Sequence, residues 1–328
     1  MKYLTYLAGL LGLAAIILIV MHQDRAAIVE TFNHAGWALL WLLPLHALPL
    51  LLDVLGWRLL LAPRDPEHRA GVWVLFWIAT VREACSRLLP VANIGGEIVG
   101  IRLVKQRGID AAAAAASVII EVLLTLINQY VFTALGIGLL IVLTHEVNAL
   151  DSVLIALVAS LPLPIGLLLL LRHGQVFSRV ERVAEKIMGG QTRLTELING
   201  SRLDQDIRAL SAQPLRLLGA GAWQLGGFLL GTLETWFGLK MLGYSVSIGQ
   251  AIALEAVTQA LRNIIFIVPA GLGVQEGGMI LFGGLIGLPA DASLALSLVK
   301  RLREVGFGVP ALISWQWVEM RQRTLRLV

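Results

Sequence analysis

The chain has 328 residues, of which 57% are hydrophobic and only 15% charged, with a mean hydropathy of +0.78 and a net charge of +4. A soluble domain of this size carries about 25% charged residues, so water is excluded as the main solvent. The basic residues stand at the ends of apolar runs rather than along one face, which excludes a nucleic-acid surface and marks membrane topology.

Runs of about 20 apolar residues match the ~30 Å hydrocarbon core of a bilayer. They are rich in Leu and Ala with no period-2 alternation, so they predict an all-α integral membrane bundle rather than a barrel. Leu4 to Met21 is expected to be a span, because its apolar run is too long for a signal peptide and no small-x-small cleavage site follows. Trp37 to Leu61 is the next span. Pro63 to Ala70, with Arg64 and Arg69, and Arg102 to Arg107, with Lys105, both read as cytoplasmic. The stretch between them therefore enters and leaves on one side, as a re-entrant hairpin around 72–104. Ala111 to Leu143 spans, and His145 to Asp151, without Lys or Arg, lies outside.

After a span over Ser152 to Leu171, the segment Arg172 to Arg216 holds eight basic and five acidic residues. It predicts a cytoplasmic amphipathic linker, 173–213, lying on the membrane surface. Leu217 to Leu239 spans again. Met241 to Gly249 and Gly287 to Asp291 lack Lys and Arg and read as outside, so the broken stretch between them is a second hairpin, around 250–287, entering from the opposite face. Ala292 to Trp317 is the last span. Arg321, Arg323 and Arg326 hold the C-terminus inside.

The two broken stretches resemble each other. LLPVANIGGEIVGIRLVKQRGID begins at Leu88 and IVPAGLGVQEGGMILFGGLIGL at Ile267. In each, a glutamate follows a proline by seven residues, Pro90 to Glu97 and Pro269 to Glu276, and a glycine follows that glutamate by eleven, Gly108 and Gly287. Asp53 and Arg58 end the span before the first hairpin as Glu234 and Lys240 end the span before the second. The organisation expected is an inverted-topology repeat, 1–150 and 151–328, each with three spans and one hairpin, about six spans in all. Broken helices in such repeats place a site near the midplane, where their ends expose N–H and C=O groups.

A charge at the bilayer centre costs about 2.5–3.5 kcal/mol on insertion scales, so intramembrane charges face partners or wet cavities. The residues expected to line such a cavity are Arg82, Arg87, Asn93, Glu97, Glu121, Asn128, Gln259, Arg262, Glu276, Lys300 and Arg301. The arginines suit an anionic headgroup, which they grip bidentately. Structural ion pairs that lock the hairpins are the alternative. Glu97 and Glu276 weigh most, each just past a hairpin tip, where an acidic first turn would also cap the following half-helix. Opposed hairpins would bring the two toward each other at mid-depth, and Arg82, Arg87 and Arg262 are their nearest cations by sequence. Glu121 with Lys300 and Arg301 is expected to form a switching charge network.

Other signals carry less. Asp204-x-Asp206 reads as a solvated face of the linker. The six histidines are scattered and form no metal-binding pattern, no P-loop is present, and the single cysteine, Cys85, forms no internal disulfide. No catalytic residue, metal or cofactor is expected.

The segments GWALLWLLPLHALPLLLDVLGWRLLL, LLPVANIGGEIVGIRLVKQRG and VPAGLGVQEGGMILFGG resemble the HpnL family of hopanoid-biosynthesis-associated membrane proteins. That family belongs to a flippase-like group sharing a domain with the membrane half of the lysylphosphatidylglycerol synthase MprF. The resemblance covers essentially the whole chain. It implies a bacterial inner-membrane protein that handles hopanoid or a phospholipid-like lipid, and it places the motif residues at Gly96, Glu97, Gly271, Gly273 and Glu276. Relatives commonly carry arginine three residues after the first glutamate, where this chain has Gly100. No stretch resembles the soluble aminoacyl-transferring domain, so lipid aminoacylation is not expected.

The function expected is a lipid translocase or lipid-binding transport protein working by alternating access, with homo-oligomers or lipid-biosynthetic enzymes as further partners. An intramembrane headgroup transferase using Glu97 or Glu276 as base, and a non-catalytic scaffold of a hopanoid-synthesising complex, are the alternatives.

Overall fold

The computed structural model describes residues 36–89, 94–144, 155, 157–158, 160–173, 175–179, 200–265, 268 and 271–326. The expected span Leu4 to Met21, the loop 145–151, Asn93 and the hairpin prolines Pro90 and Pro269 lie outside the described residues. Every regular element among those described is helical. A 3-10 turn, Gly36–Trp41, leads into α1 (Leu42–Leu61), followed by α2 (Val72–Leu88), α3 (Ile94–Lys105), α4 (Ala111–Thr144) and α5 (Pro162–His173). Then come α6 (Gly200–Ser211), α7 (Pro214–Met241), α8 (Ile248–Ile264), α9 (Val274–Leu285) and α10 (Ala290–Arg326).

Local chemistry sets these boundaries. Pro214 opens α7 in the first turn, where its missing N–H costs nothing. Ser247 and Gln250 close a capping box on α8, with Ser247 N donating to Gln250 Oε1 at 2.8 Å and Gln250 N to Ser247 Oγ at 3.2 Å. After α3 and α9 the chain turns at Gly108 and Gly287, with φ of 82° and 84°, values a side chain resists.

Two helix pairs have matching lengths. The 17 residues of α2 precede the 12 of α3, and the 17 of α8 precede the 12 of α9. Within each pair the helices pack on one another. A long helix follows each, α4 of 34 residues and α10 of 37. Between the halves, α2 packs on α10 and α8 packs on α4, while α1 lies along α7. Small residues let α1 and α7 approach: a Cβ on Gly56 would come within 2.9 Å of the Ala220 carbonyl oxygen.

Polarity is inside out. On α10, Leu302, Val305, Val309 and Ile313 are exposed while Lys300 and Glu304 are buried. On α4, Val122, Val131 and Val142 are exposed and Glu121, Asn128 and Gln129 buried. A protein in water shows the reverse, because buried charges need pairing and wide apolar patches are rare on soluble monomers. Two described helices are long and apolar enough to cross a bilayer, Gly36–Arg64 and Ala111–Thr144.

The linker is docked to protein where it is described. On α6, Leu203, Ile207 and Leu210 bury against Leu60, Ala116, Ile120 and Leu171. The Asp204-x-Asp206 pair is therefore not a solvated face. Asp204 accepts from the backbone of Phe177 at 3.2 Å and of Ser178 at 2.9 Å, Asp206 pairs with Arg64, and both aspartates are buried. Their spacing puts them on the flank of the same face that docks.

Candidate functional site

In the first half the charges gather on Arg82, near the middle of α2. Its guanidinium is shared between Glu97 of α3 and Glu121 of α4, the latter at 2.8 Å, and lies 4.6 Å from the Trp57 ring centroid of α1. Four helices thus meet at one cation. The space exists because α3 presents glycine here: a Cβ on Gly96 would stand 2.4 Å from the Arg82 carbonyl oxygen, and one on Gly100 2.5 Å from Arg82 Cδ. The side chain of Arg82 crosses from α2 into the space that glycine leaves at position 100.

In the second half Glu276 is fully buried at the start of α9. It caps the helix by accepting from Gly273 N at 2.8 Å, and it accepts from Arg301 Nε of α10 at 3.0 Å and from the Ser297 hydroxyl at 3.4 Å. Arg301 also donates to the Gly271 carbonyl at 3.0 Å, and Gly271 itself takes a φ of 59°, which glycine allows. Arg262, in the last turn of α8, pairs with Gln275 and lies 3.7 Å from Glu304. Glu304 receives Arg301 at 3.0 Å and Arg87, in the last turn of α2, at 4.0 Å. Three arginines, one from each hairpin and one from α10, converge on this carboxylate.

Lys300 pairs with Glu255 of α8, which also accepts from Thr235 of α7 and from Gln259 at 2.9 Å. The arrangement mirrors Arg82 and Glu121 with the signs exchanged, since there α2 supplies the cation and α4 the acid.

A third cluster joins the halves. His46 of α1 faces Glu83 of α2 at 2.9 Å and Glu234 of α7 at 3.3 Å. Arg303 of α10 reaches Glu234 at 2.9 Å and Glu83 at 3.8 Å, and Phe307 sets its ring edge-on to the imidazole at 5.1 Å. A cleft lined by His46, Glu83, Arg87, Arg303 and Glu304 leaves room for roughly one water.

Of the residues singled out in the sequence, Arg82, Glu97 and Glu121 come together, as do Arg87, Arg262, Glu276 and Arg301. Glu121 meets Arg82 and Lys300 meets Glu255, and the cation on Glu276 is Arg301. Asn128 stands apart from the charges, donating to the Gly221 carbonyl at 2.9 Å and to Gln224 at 3.3 Å as a strut between α4 and α7. The sequence reading passed over His46, Glu234 and Arg303 as site residues. Their signal was present, three ionisable groups inside apolar stretches, but Glu234 read as the end of its span and His46 as one of several scattered histidines.

A bundle whose outer face is apolar and whose interior is wired by ion pairs between broken and long helices is a helical integral membrane protein. The chain belongs to the family of the lysylphosphatidylglycerol synthase TM region, which matches residues 6–311. That membership connects it with the handling or transport of lipid. Neither a curated protein nor a solved structure matches the chain.

Proposed function

We propose that this chain moves a lipid between the leaflets of the bacterial inner membrane, changing its sidedness and breaking no bond. The convergence of Arg87, Arg262 and Arg301 on Glu304 carries the reading. Guanidinium groups from both hairpins meet there around one carboxylate, so an anionic headgroup entering between them pairs with Arg87 and Arg262 while Glu304 keeps Arg301, and no charge is left buried alone. Arg87 is the entry point, its side chain 39% exposed and its contact with Glu304 the longest of the three.

The two halves act as an inverted repeat, with both termini cytoplasmic, and rock against each other. The matched 17- and 12-residue helices and the crossed packing of α2 on α10 and α8 on α4 support this reading. The resemblance to the HpnL family makes hopanoid, or a phospholipid-like lipid, the cargo to try first.

The test is reconstitution in vesicles of phosphatidylcholine and phosphatidylglycerol carrying trace fluorescent lipid, with dithionite reporting the outer-leaflet fraction. The wild-type chain should expose inner-leaflet lipid faster than empty vesicles, and Arg262→Ala and Arg87→Ala should slow that exposure. Wild-type traces that match empty vesicles for both phosphatidylglycerol and a hopanoid probe would sink the proposal. Mass spectrometry of the recovered lipid should show it unmodified.

A further inference from the structure

Glu83 and Arg87 stand one turn apart on α2 with opposite charges, yet among the described residues they form no ion pair with each other. A glutamate four residues before a cation on a helix ordinarily closes such a pair. Here each is drawn elsewhere. Glu83 Oε2 stands 2.9 Å from His46 Nε2, and Arg87 Nε lies 4.0 Å from Glu304 Oε1. The other oxygen of Glu83 accepts no hydrogen bond among the described residues, since Arg303 Nη1 at 3.8 Å is out of reach. Arg87 donates none among them either. Both side chains meet solvent, Glu83 at 23% and Arg87 at 39% exposure.

The two line one cleft, walled also by Ala84, Glu304, Phe307 and Gly308. It is narrow. A Cβ on Gly308 would stand 3.3 Å from the Ala84 Cβ, and the space admits about one water.

We propose that this cleft selects a dipolar headgroup, a phosphodiester followed two carbons later by a primary ammonium, as in phosphatidylethanolamine. The phosphate takes the open N–H groups of Arg87 beside Arg262, and the ammonium takes the open oxygen of Glu83. Side chains four apart on a helix have Cβ atoms about 5–6 Å apart, a distance comparable to that between phosphorus and nitrogen in ethanolamine phosphate. An ammonium is near the size of a water and brings three donors. A trimethylammonium is wider than the cleft and has no N–H to give. The hydroxyl of a glycerol headgroup donates to the carboxylate without the added attraction of opposite charge, so phosphatidylglycerol ranks second and phosphatidylcholine last. A cleft shaped for a purely anionic headgroup would not set a carboxylate with an open oxygen one turn from the arginine that receives it.

The assignment deepens the transport reading and rests on it for movement, but not for binding. Binding is read by native mass spectrometry of the full-length protein given equal amounts of phosphatidylethanolamine, phosphatidylglycerol and phosphatidylcholine with matched chains. The wild type should retain phosphatidylethanolamine about tenfold over phosphatidylcholine, the worth of one charge-assisted hydrogen bond. Glu83→Gln should bring phosphatidylethanolamine down to the level of phosphatidylglycerol, and Arg87→Ala should lower all three. Movement is read by dithionite in vesicles carrying tail-labelled forms of the same lipids, with the same ranking expected. Equal retention of phosphatidylethanolamine and phosphatidylcholine by the wild type, a result that needs no variant to fold, overturns the assignment. So does a preference that survives Glu83→Gln. Selective retention with no lipid moved removes the transport reading and leaves the headgroup site standing, whereas movement of all three at one rate, with equal retention, does the opposite.

Discussion

The hairpin α2–α3 and the hairpin α8–α9 have the same helix lengths and a glutamate at the same place, yet they are wired differently. Glu97 is tied within its own hairpin, to Arg82 of α2, whereas Glu276 is tied outside it, to Arg301 of α10. Glu97 and Glu121 share the single cation Arg82, so the ionic tie from α2 to both α3 and α4 rests on one side chain. The second hairpin spreads the load over Arg262, Arg301, Lys300 and a backbone N–H. Identical backbone plans can therefore differ in where the cation is anchored.

This asymmetry is open to measurement. Removing Arg82 strands the buried Glu121 and also unpairs the half-buried Glu97, so Arg82→Ala should cost about 3–5 kcal/mol, read as an early loss of monodisperse protein on heating in detergent. Arg301→Ala should cost less, about 1–3 kcal/mol, because Glu276 keeps Gly273 N–H and the Ser297 hydroxyl and Glu304 keeps Arg262 and Arg87. Equal losses from the two would erase the distinction between the hairpins. Gly100→Ala sharpens it. The new Cβ presses on a pinned Arg82 side chain and should cost about 1 kcal/mol or more in the wild type, but little in Arg82→Ala, a coupling that a double-mutant cycle reads directly. As a control outside both hairpins, Asp206→Asn should cost under about 1 kcal/mol, since its partner Arg64 is half exposed. A larger loss would make the docking of α6 part of the same network.

Much of this was legible in the sequence. Apolar run lengths located α1 and α4, and the proline-to-glutamate spacing located the starts of α3 and α9, because backbone breaks and caps are local chemistry. The wiring was not. His46 and Glu234 lie 188 residues apart in sequence, and no periodicity announces such a meeting. The docked face of α6 was misplaced for a different reason. An apolar stripe of Leu203, Ile207 and Leu210 looks the same whether it covers lipid or another helix, and only the partners Leu60 and Ile120 decide between them. Asp204 and Asp206 then follow the stripe inward, against the usual habit of aspartate.

Glu304 carries a genetic consequence. One acid serving three arginines makes tolerance lopsided: losing Arg87 or Arg262 leaves the other two in place, whereas losing Glu304 removes the shared anion from three neighbouring guanidinium groups, of which Arg301 keeps Glu276. A folding defect at position 304 should therefore be suppressible by a second-site loss of Arg87 or Arg262, though transport stays slowed, and a defect at either arginine should find no suppressor at 304.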